Sequence, residues 1–410
     1  MKQRLRVLGE RNFRWFLLGQ SASQLGDMMA PVALAFAVLG LTGSAADLGL
    51  VLIARTVPLI AFMLLGGVLA DRLPRTAVMI GADLARLACQ GVMAALLLTG
   101  HAQVWMLAAL QFVHGGASAL FTPAVSGLIR ETVGTESLQD ANALRGFAQS
   151  AAYVAGPALA GLLVATAGAG WAIAVDAATF AASAAFLGLL RLPAKPLPAT
   201  RMLRDLAEGW REFRARRWVW SFIGAASLVN MWQAALHVLG PVAATAALGG
   251  AGAWGLILAC FGAGSIAGGA LALAVKPVHP LRTAVCWDLV FPLQLLLLAL
   301  GAPAAGVAAV AFLGGVSLMV SNTLWETTLQ RHIPEDRLSR VSSYEWLGSY
   351  AGYPLGLLLV PALHTGLGLH NALWVAFLCQ LLPSLALLLV RDVRDIGAVP
   401  AEPEPRRTGT

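Results

Sequence analysis

Eight ionisable side chains interrupt the long apolar runs of this 410-residue chain: Asp27, Arg55, Asp83, Arg86, His114, Asp176, His237 and Asp288. In mid-bilayer such a group costs several kcal/mol unless it is paired or wet, so each one needs a reason to be there. The chemistry open to them is proton binding and ion pairing. Asp27 lies 14 residues into its run, about 21 Å along a helix, and Arg55 lies 15 residues before the end of the next run, about 22 Å from the same face. Equal depth on consecutive runs makes them the best candidates for a buried ion pair. Protonating Asp27 would release Arg55, or a cationic substrate would compete for the carboxylate; the alternative is a static pair that fixes packing. Asp83 and Arg86, three residues apart, can pair along one helix face. Asp176 and Asp288 stand alone in the sequence. His114 and His237 are pH-sensitive candidates. Glu326 and Glu345, near the ends of their runs, are candidate gate residues. Bond-making chemistry has no comparable signal, because the chain has no HExxH, no GxSxG and no His/Asp cluster at ligand spacing. No catalytic residue, metal or cofactor is therefore expected, and a membrane-embedded enzyme is a remote alternative.

These residues sit on about twelve apolar stretches, each close to the ~20 residues that cross a ~30 Å hydrocarbon layer. The expected spans are 13–39, 47–70, 76–98, 104–129, 140–166, 171–190, 218–247, 252–275, 283–300, 304–329, 341–365 and 370–390. Hydrophobic residues make up 58% of the chain and charged ones 12%, where a soluble domain has about 25% charged. Apart from Arg55 and Arg86, every Lys and Arg falls in alternate connections: the N-terminal tail, Arg72/Arg75, Arg130/Arg145, 191–217, Lys276/Arg282, Arg331/Arg337/Arg340 and the C-terminal tail. The connections between them hold none. Basic loops are retained in the cytoplasm, so the expectation is a multi-pass inner-membrane protein with both termini cytoplasmic. The net charge of +7 lies in these short connections, where it meets anionic headgroups rather than nucleic acid. The four cysteines, all in apolar runs without CxxC spacing, read as small core residues.

The expected organisation is a six-helix bundle over 1–190, a linker over 191–217, a second six-helix bundle over 218–392 and a disordered tail over 393–410. The linker carries Met202, Leu203, Leu206, Trp210 and Phe213 at helical spacing among arginines, which suits an amphipathic helix on the membrane surface. An internal repeat appears at an offset of about 200 residues. Arg75-Thr-Ala-Val matches Arg282-Thr-Ala-Val, and Tyr153-Val-Ala-Gly-Pro157 matches Tyr350-Ala-Gly-Tyr-Pro354. Six plus six spans with weak internal symmetry suit a two-bundle transporter with its substrate site between the halves.

Between the second and third spans stands Gly67-Val-Leu-Ala-Asp71-Arg72-Leu-Pro74-Arg75, which resembles the loop signature of the major facilitator superfamily, with Pro74 where that family has Gly. The resemblance implies a cytoplasmic latch: Gly67 for close helix approach, Asp71 facing a helix N-terminus, and Arg72 and Arg75 pairing with an acid such as Glu131. The segment Arg145–Gly161 is similar to the glycine-rich, Gly-Pro-containing segment of the family's proton-coupled exporters. Where many of those carry a buried Arg in span four, this chain has Gln111. With Leu25-Gly26-Asp27 and the stretch from Leu329, the whole is similar to the macrolide- and siderophore-exporter branch. The implied fold is all-α and membrane-integral, twelve transmembrane helices in two pseudo-symmetric six-helix bundles. The resemblance also implies a cavity walled by spans one, four, seven and ten, with Gln20, Gln24, Gln111, His114, Asn230, Trp232, Gln233, Asn322 and Trp325 as its polar and aromatic residues, joined by Trp346, Tyr350 and Tyr353. The expected function is export of a hydrophobic or amphipathic small molecule by proton antiport, with Asp27 and Arg55 as the coupling pair. The chain is expected to act as a monomer whose partners are substrate, protons and lipid. An importer or lipid translocator on the same fold is the alternative.

Overall fold

In hydrocarbon, every backbone N–H and C=O must find its partner within its own segment, which leaves helices as the form for long apolar runs. The computed structural model describes residues 4–133, 135–192, 214, 216–333 and 335–397, with side chains left out over 64–72, 335–340 and a few single positions. Span 1 is Arg11–Thr42, span 2 Ala45–Arg72, span 3 Arg75–Leu98, span 4 Val104–Thr132, span 5 Leu138–Ala167 and span 6 Ala169–Gly188. Span 7 is Arg217–Ala243, span 8 Gly250–Ala274 and span 10 Ala304–His332.

The stretch Tyr344–Leu387 is apolar and helical over 44 residues. As one rod it would be about 66 Å long, twice the hydrocarbon thickness. Gly368 (φ 77°, ψ 169°) resolves this by turning the chain back. Span 11 is therefore Glu335–Ala351 continued through Gly352, itself helical (φ −75°, ψ −25°), and span 12 runs from the turn to Leu387. The turns after spans 1, 3, 5, 7 and 9 each contain a positive-φ glycine too: Gly43, Gly100, Gly168, Gly249 and Gly301. All six lie in the connections that lack Lys and Arg. There a left-handed residue ends one helix and lets the next start at once, a conformation that suits glycine.

Span 9 departs from the continuous helix expected over 283–300. It is two short helices, Pro280–Asp288 and Pro292–Ala299, because Pro292 has no N–H to carry a helix across the junction. Ser317 of span 10 donates its hydroxyl to the Trp287 carbonyl at 2.6 Å beside the break. Of the cysteines, Cys89 is buried but Cys286 is exposed, so the core assignment fails for Cys286. The expected amphipathic linker helix and residues 398–410 of the expected disordered tail lie outside the described residues. At 393 the expected disorder fails, because Val393 is buried in a short helix, Arg391–Arg394.

Within the first bundle, span 1 packs on spans 5 and 6, span 2 on span 4, and span 3 on spans 4 and 6; in the second, span 7 packs on spans 11 and 12, and span 8 on span 10. The bundles meet along two seams, span 5 on span 8 and span 2 on span 11. Both seams are backbone-close. A Cβ on Gly161 would lie 2.7 Å from the Ala251 carbonyl oxygen, and one on Gly49 would lie 2.6 Å from that of Leu357. Small residues permit this approach, and dispersion then holds the helices together. Both seams lie toward the end with uncharged turns. Toward the basic end, Phe147 of span 5 is 76% exposed, and Trp346 and Tyr350 of span 11 are exposed as well. The space between the bundles opens there.

Candidate functional site

Gly26 sets the site up. A Cβ at this position would collide with Thr179 and Asp176, so its absence lets span 6 press against span 1 beside Asp27. The Asp27 carboxylate is 25% exposed and faces two arginines. Arg55 of span 2 approaches Oδ1 at 3.8 Å, while Arg86 of span 3 donates from Nη1 to Oδ2 at 3.3 Å. The second terminal nitrogen of Arg86 bonds Asp83, which is fully buried one helical turn away. Arg86 is itself buried, its guanidinium 4.1 Å from the Phe121 ring centre and 4.4 Å from that of Phe180. Two aromatic faces and two carboxylates offset the water this cation gave up. The network continues through Gln90, which donates to Asp176 at 2.5 Å and accepts from Gln111 at 3.4 Å.

Asp27 is thus a shared carboxylate, and it is the one acid of the network with an exposed edge; Asp83 and Asp176 have none. A proton added to Asp27 would leave Arg86 with Asp83 as its remaining ion-pair partner and take from Arg55 the carboxylate it approaches.

Sequence reasoning placed Asp27 and Arg55 together and read Arg86 as a local partner of Asp83 alone. The bridge from Arg86 to Asp27 was missed, although the charge itself was visible in span 3. Asp176 is not alone, since Gln90 bonds it. Gln111 and His114 are fully enclosed in the first bundle and do not wall the open cavity; His114 packs edge-on against Phe180. Gln20 is also buried and Gln24 half-buried.

In the second bundle the expected wall residues mostly tie helices together. Asn230 donates to the Ser349 carbonyl at 3.0 Å, and Gln233 accepts from Gln380 of span 12 at 2.7 Å. Trp232 packs in the apolar core. Trp325 is buried, stacked on Phe222 with ring centres 4.2 Å apart, and donates to Glu345 at 2.6 Å. Asn322 and Glu326 are exposed. His237 bonds the Tyr353 hydroxyl at 2.9 Å, joining span 7 to span 11, a pairing the sequence did not suggest. At the basic end Arg75 donates to Glu131 at 2.9 Å and ties span 3 to span 4. The side chains of Gly67, Asp71 and Arg72 lie outside the described residues.

Twelve helical spans among the described residues, packed in two bundles, have their counterpart among known proteins. Residues 4–406 match the transmembrane secretion effector family. The chain belongs to that family. The family is of the major facilitator kind, and the described residues include eleven helical stretches long and apolar enough to cross a membrane. Macrolide efflux protein A of Streptococcus pyogenes is 25% identical over 228 residues, a match that spans 55% of this chain and about half (56%) of that protein. The multidrug efflux pump Tap of Mycolicibacterium fortuitum is 28% identical, with 89% of this chain and 91% of Tap covered. The enterobactin exporter EntS of Shigella flexneri is 27% identical, with 86% and 84% covered. An auto-inhibited POT family peptide transporter superposes with a TM-score of 0.76 at 14% identity, covering 95% of this chain and 98% of that one. A bacterial homolog of the human lysosomal transporter Spinster, in an inward-facing and unoccupied conformation, superposes with a TM-score of 0.72 at 15% identity, covering 95% and 99%. At these identities the likeness is one of fold.

Proposed function

We propose that this chain exports a hydrophobic or amphipathic small molecule by proton antiport, its two bundles rocking about a site between them. The bundles correspond to 1–190 and 218–392, joined by the linker 191–217, with the basic end and both termini cytoplasmic. The observation that carries the coupling is the arrangement of Asp27 between Arg55 and Arg86 at an exposed edge. Ionised, Asp27 holds spans 1, 2 and 3 together through two cations. Protonated, it releases them, and a substrate cation competes for the same carboxylate. Either event changes the balance of charge across three helices, which is the kind of two-state element a coupled carrier needs. The efflux relatives support the outward direction, and the basic connections support the orientation.

The Arg75–Glu131 pair is formed within the first bundle while the basic end is open. It is therefore proposed to hold the end of span 3 in place for a latch that Gly67, Asp71 and Arg72, as the loop signature implies, complete in the opposite state. Glu326 and Glu345 are proposed to stand at the same mouth. The test is flux in proteoliposomes under an imposed pH gradient. Asp27→Asn is expected to abolish gradient-driven export while elution and thermal midpoint stay near those of the parent; unaltered gradient-driven export in Asp27→Asn would reduce the site to packing. Uptake instead of export with the basic face on the proton-poor side would favour an importer.

A further inference from the structure

Span 11 presents two faces. Gly348, Gly352 and Gly356 turn toward Ile223, Ser227 and Met231 of span 7. At about 100° per residue, Trp346, Tyr350, Leu357 and Pro361 share a sector of roughly 60° centred about 150° from those glycines. At the uncharged end this sector is covered, because Leu357 and Pro361 meet Gly49 of span 2. Toward the basic end it is bare: Trp346 is 56% exposed and Tyr350 41%. Their rings stack on each other, centres 5.0 Å apart and 18° from parallel. Tyr350 lies within electrostatic reach of Tyr153 of span 5, in the opposite bundle, which puts this ring on the side of the space between the halves. Span 5 repeats the pattern. Phe147 shares a sector of roughly 80° with Pro157 and Gly161, which contact span 8, yet Phe147 itself is bare.

The two halves of each face are built differently. Where the bundles touch, they do so through glycine, proline and backbone carbonyls. Where they part, the same faces carry Trp, Tyr and Phe. Rings of this size cannot reproduce a glycine-to-carbonyl seam, and they leave room between the helices. The two rings are already stacked on each other, so a third ring placed on them extends an existing arrangement.

From this we propose a binding site for planar aromatic ring systems, with Trp346 and Tyr350 as the stacking platform and Tyr153 and Phe147 as the facing wall. The proposal rests on the transporter reading only in that a transporter has cargo. It names the class of cargo: molecules carrying at least one extended flat aromatic system.

The experiment is equilibrium binding to the purified full chain in nanodiscs without any gradient, so it is blind to proton coupling. The probes are ethidium (a planar aromatic cation), 1-pyrenesulfonate (a planar aromatic anion) and tetrapentylammonium (an aliphatic cation). Trp346→Leu and Tyr350→Leu are each expected to weaken binding of at least one planar probe by about five- to tenfold, the scale of one aromatic contact. Trp346→Phe should keep most of the affinity. Tetrapentylammonium binding, if any, should change by less than about twofold in all three, since no aromatic contact is lost. Absence of planar-probe binding to the parent overturns the proposal. So does an equal loss for all probes, or unchanged planar-probe binding in both leucine variants, which would make the rings a closing contact. A null result for Asp27→Asn flux would leave this outcome untouched.

Discussion

The two bundles share a fold and differ in what they bury. The first encloses Asp83, Arg86 and Asp176, with Asp27 and Arg55 at its edge, all within one network of spans 1, 2, 3 and 6. The second ties its helices with largely neutral groups: Gln380 to Gln233, His237 to Tyr353, Asn230 to the Ser349 carbonyl. Its carboxylates within the spans include Asp288, at the break in span 9, and Glu345, which accepts from Trp325. A neutral hydrogen bond between membrane helices contributes about 0.6 kcal/mol on average, whereas removing one partner of a buried ion pair costs about 3–5 kcal/mol. The difference teaches that both halves share one scaffold while the buried ion pairs are concentrated in one.

Changes to Arg86 should break that contrast most severely. Arg86→Gln strands Asp83 in an apolar setting and is expected to destabilise the first bundle by about 3 kcal/mol or more, seen as a lower thermal midpoint in detergent. Asp83→Asn in the same chain should recover much of the loss, because it removes the stranded charge. A midpoint unchanged by Arg86→Gln would mean that water, not Arg86, solvates Asp83. Next in size is the seam. Gly161→Val places atoms against the Ala251 carbonyl and Gly255 and should shift the population away from the state closed at the uncharged end. Cysteine accessibility at a Phe147→Cys reporter should then fall severalfold, and unchanged labelling would dismiss this seam as a determinant of state. Smaller still is Glu131→Gln. It frees Arg75 from a part-exposed pair worth about 1 kcal/mol or less and should slow turnover more than it weakens binding. The smallest effect is expected for Gln380→Leu in the second bundle, about 1 kcal/mol with the pH dependence of flux intact. A changed pH dependence there would erase the distinction between the halves.

Much of this was legible in the chain before any coordinates. Apolar run length fixed the spans, and the charge of the connections fixed their alternation, because lipid imposes both requirements locally. Gly368 sits in an expected turn for the same reason. The break in span 9 was not foreseen, since apolar length alone does not reveal how Pro292 and Ser317 divide the work of a discontinuity. Asp27 and Arg55 could be paired from depth alone. Arg86 could not be assigned to Asp27, because that contact depends on which way span 3 faces span 1. Gln111 and His114 were expected on the cavity wall, yet polar residues at helical spacing look alike whether they face water or a buried network. Trp325 failed similarly: only packing decides that Phe222 covers it.

The most direct test compares one acid from each half in the same vesicles. Gradient-driven flux of a planar aromatic cation such as ethidium is measured for the parent, Asp27→Asn and Asp288→Asn. Flux should vanish with Asp27→Asn and persist with Asp288→Asn, both variants binding ethidium without a gradient. Persistence in Asp27→Asn, or equal loss in both, would contradict the assignment of proton coupling to the first bundle.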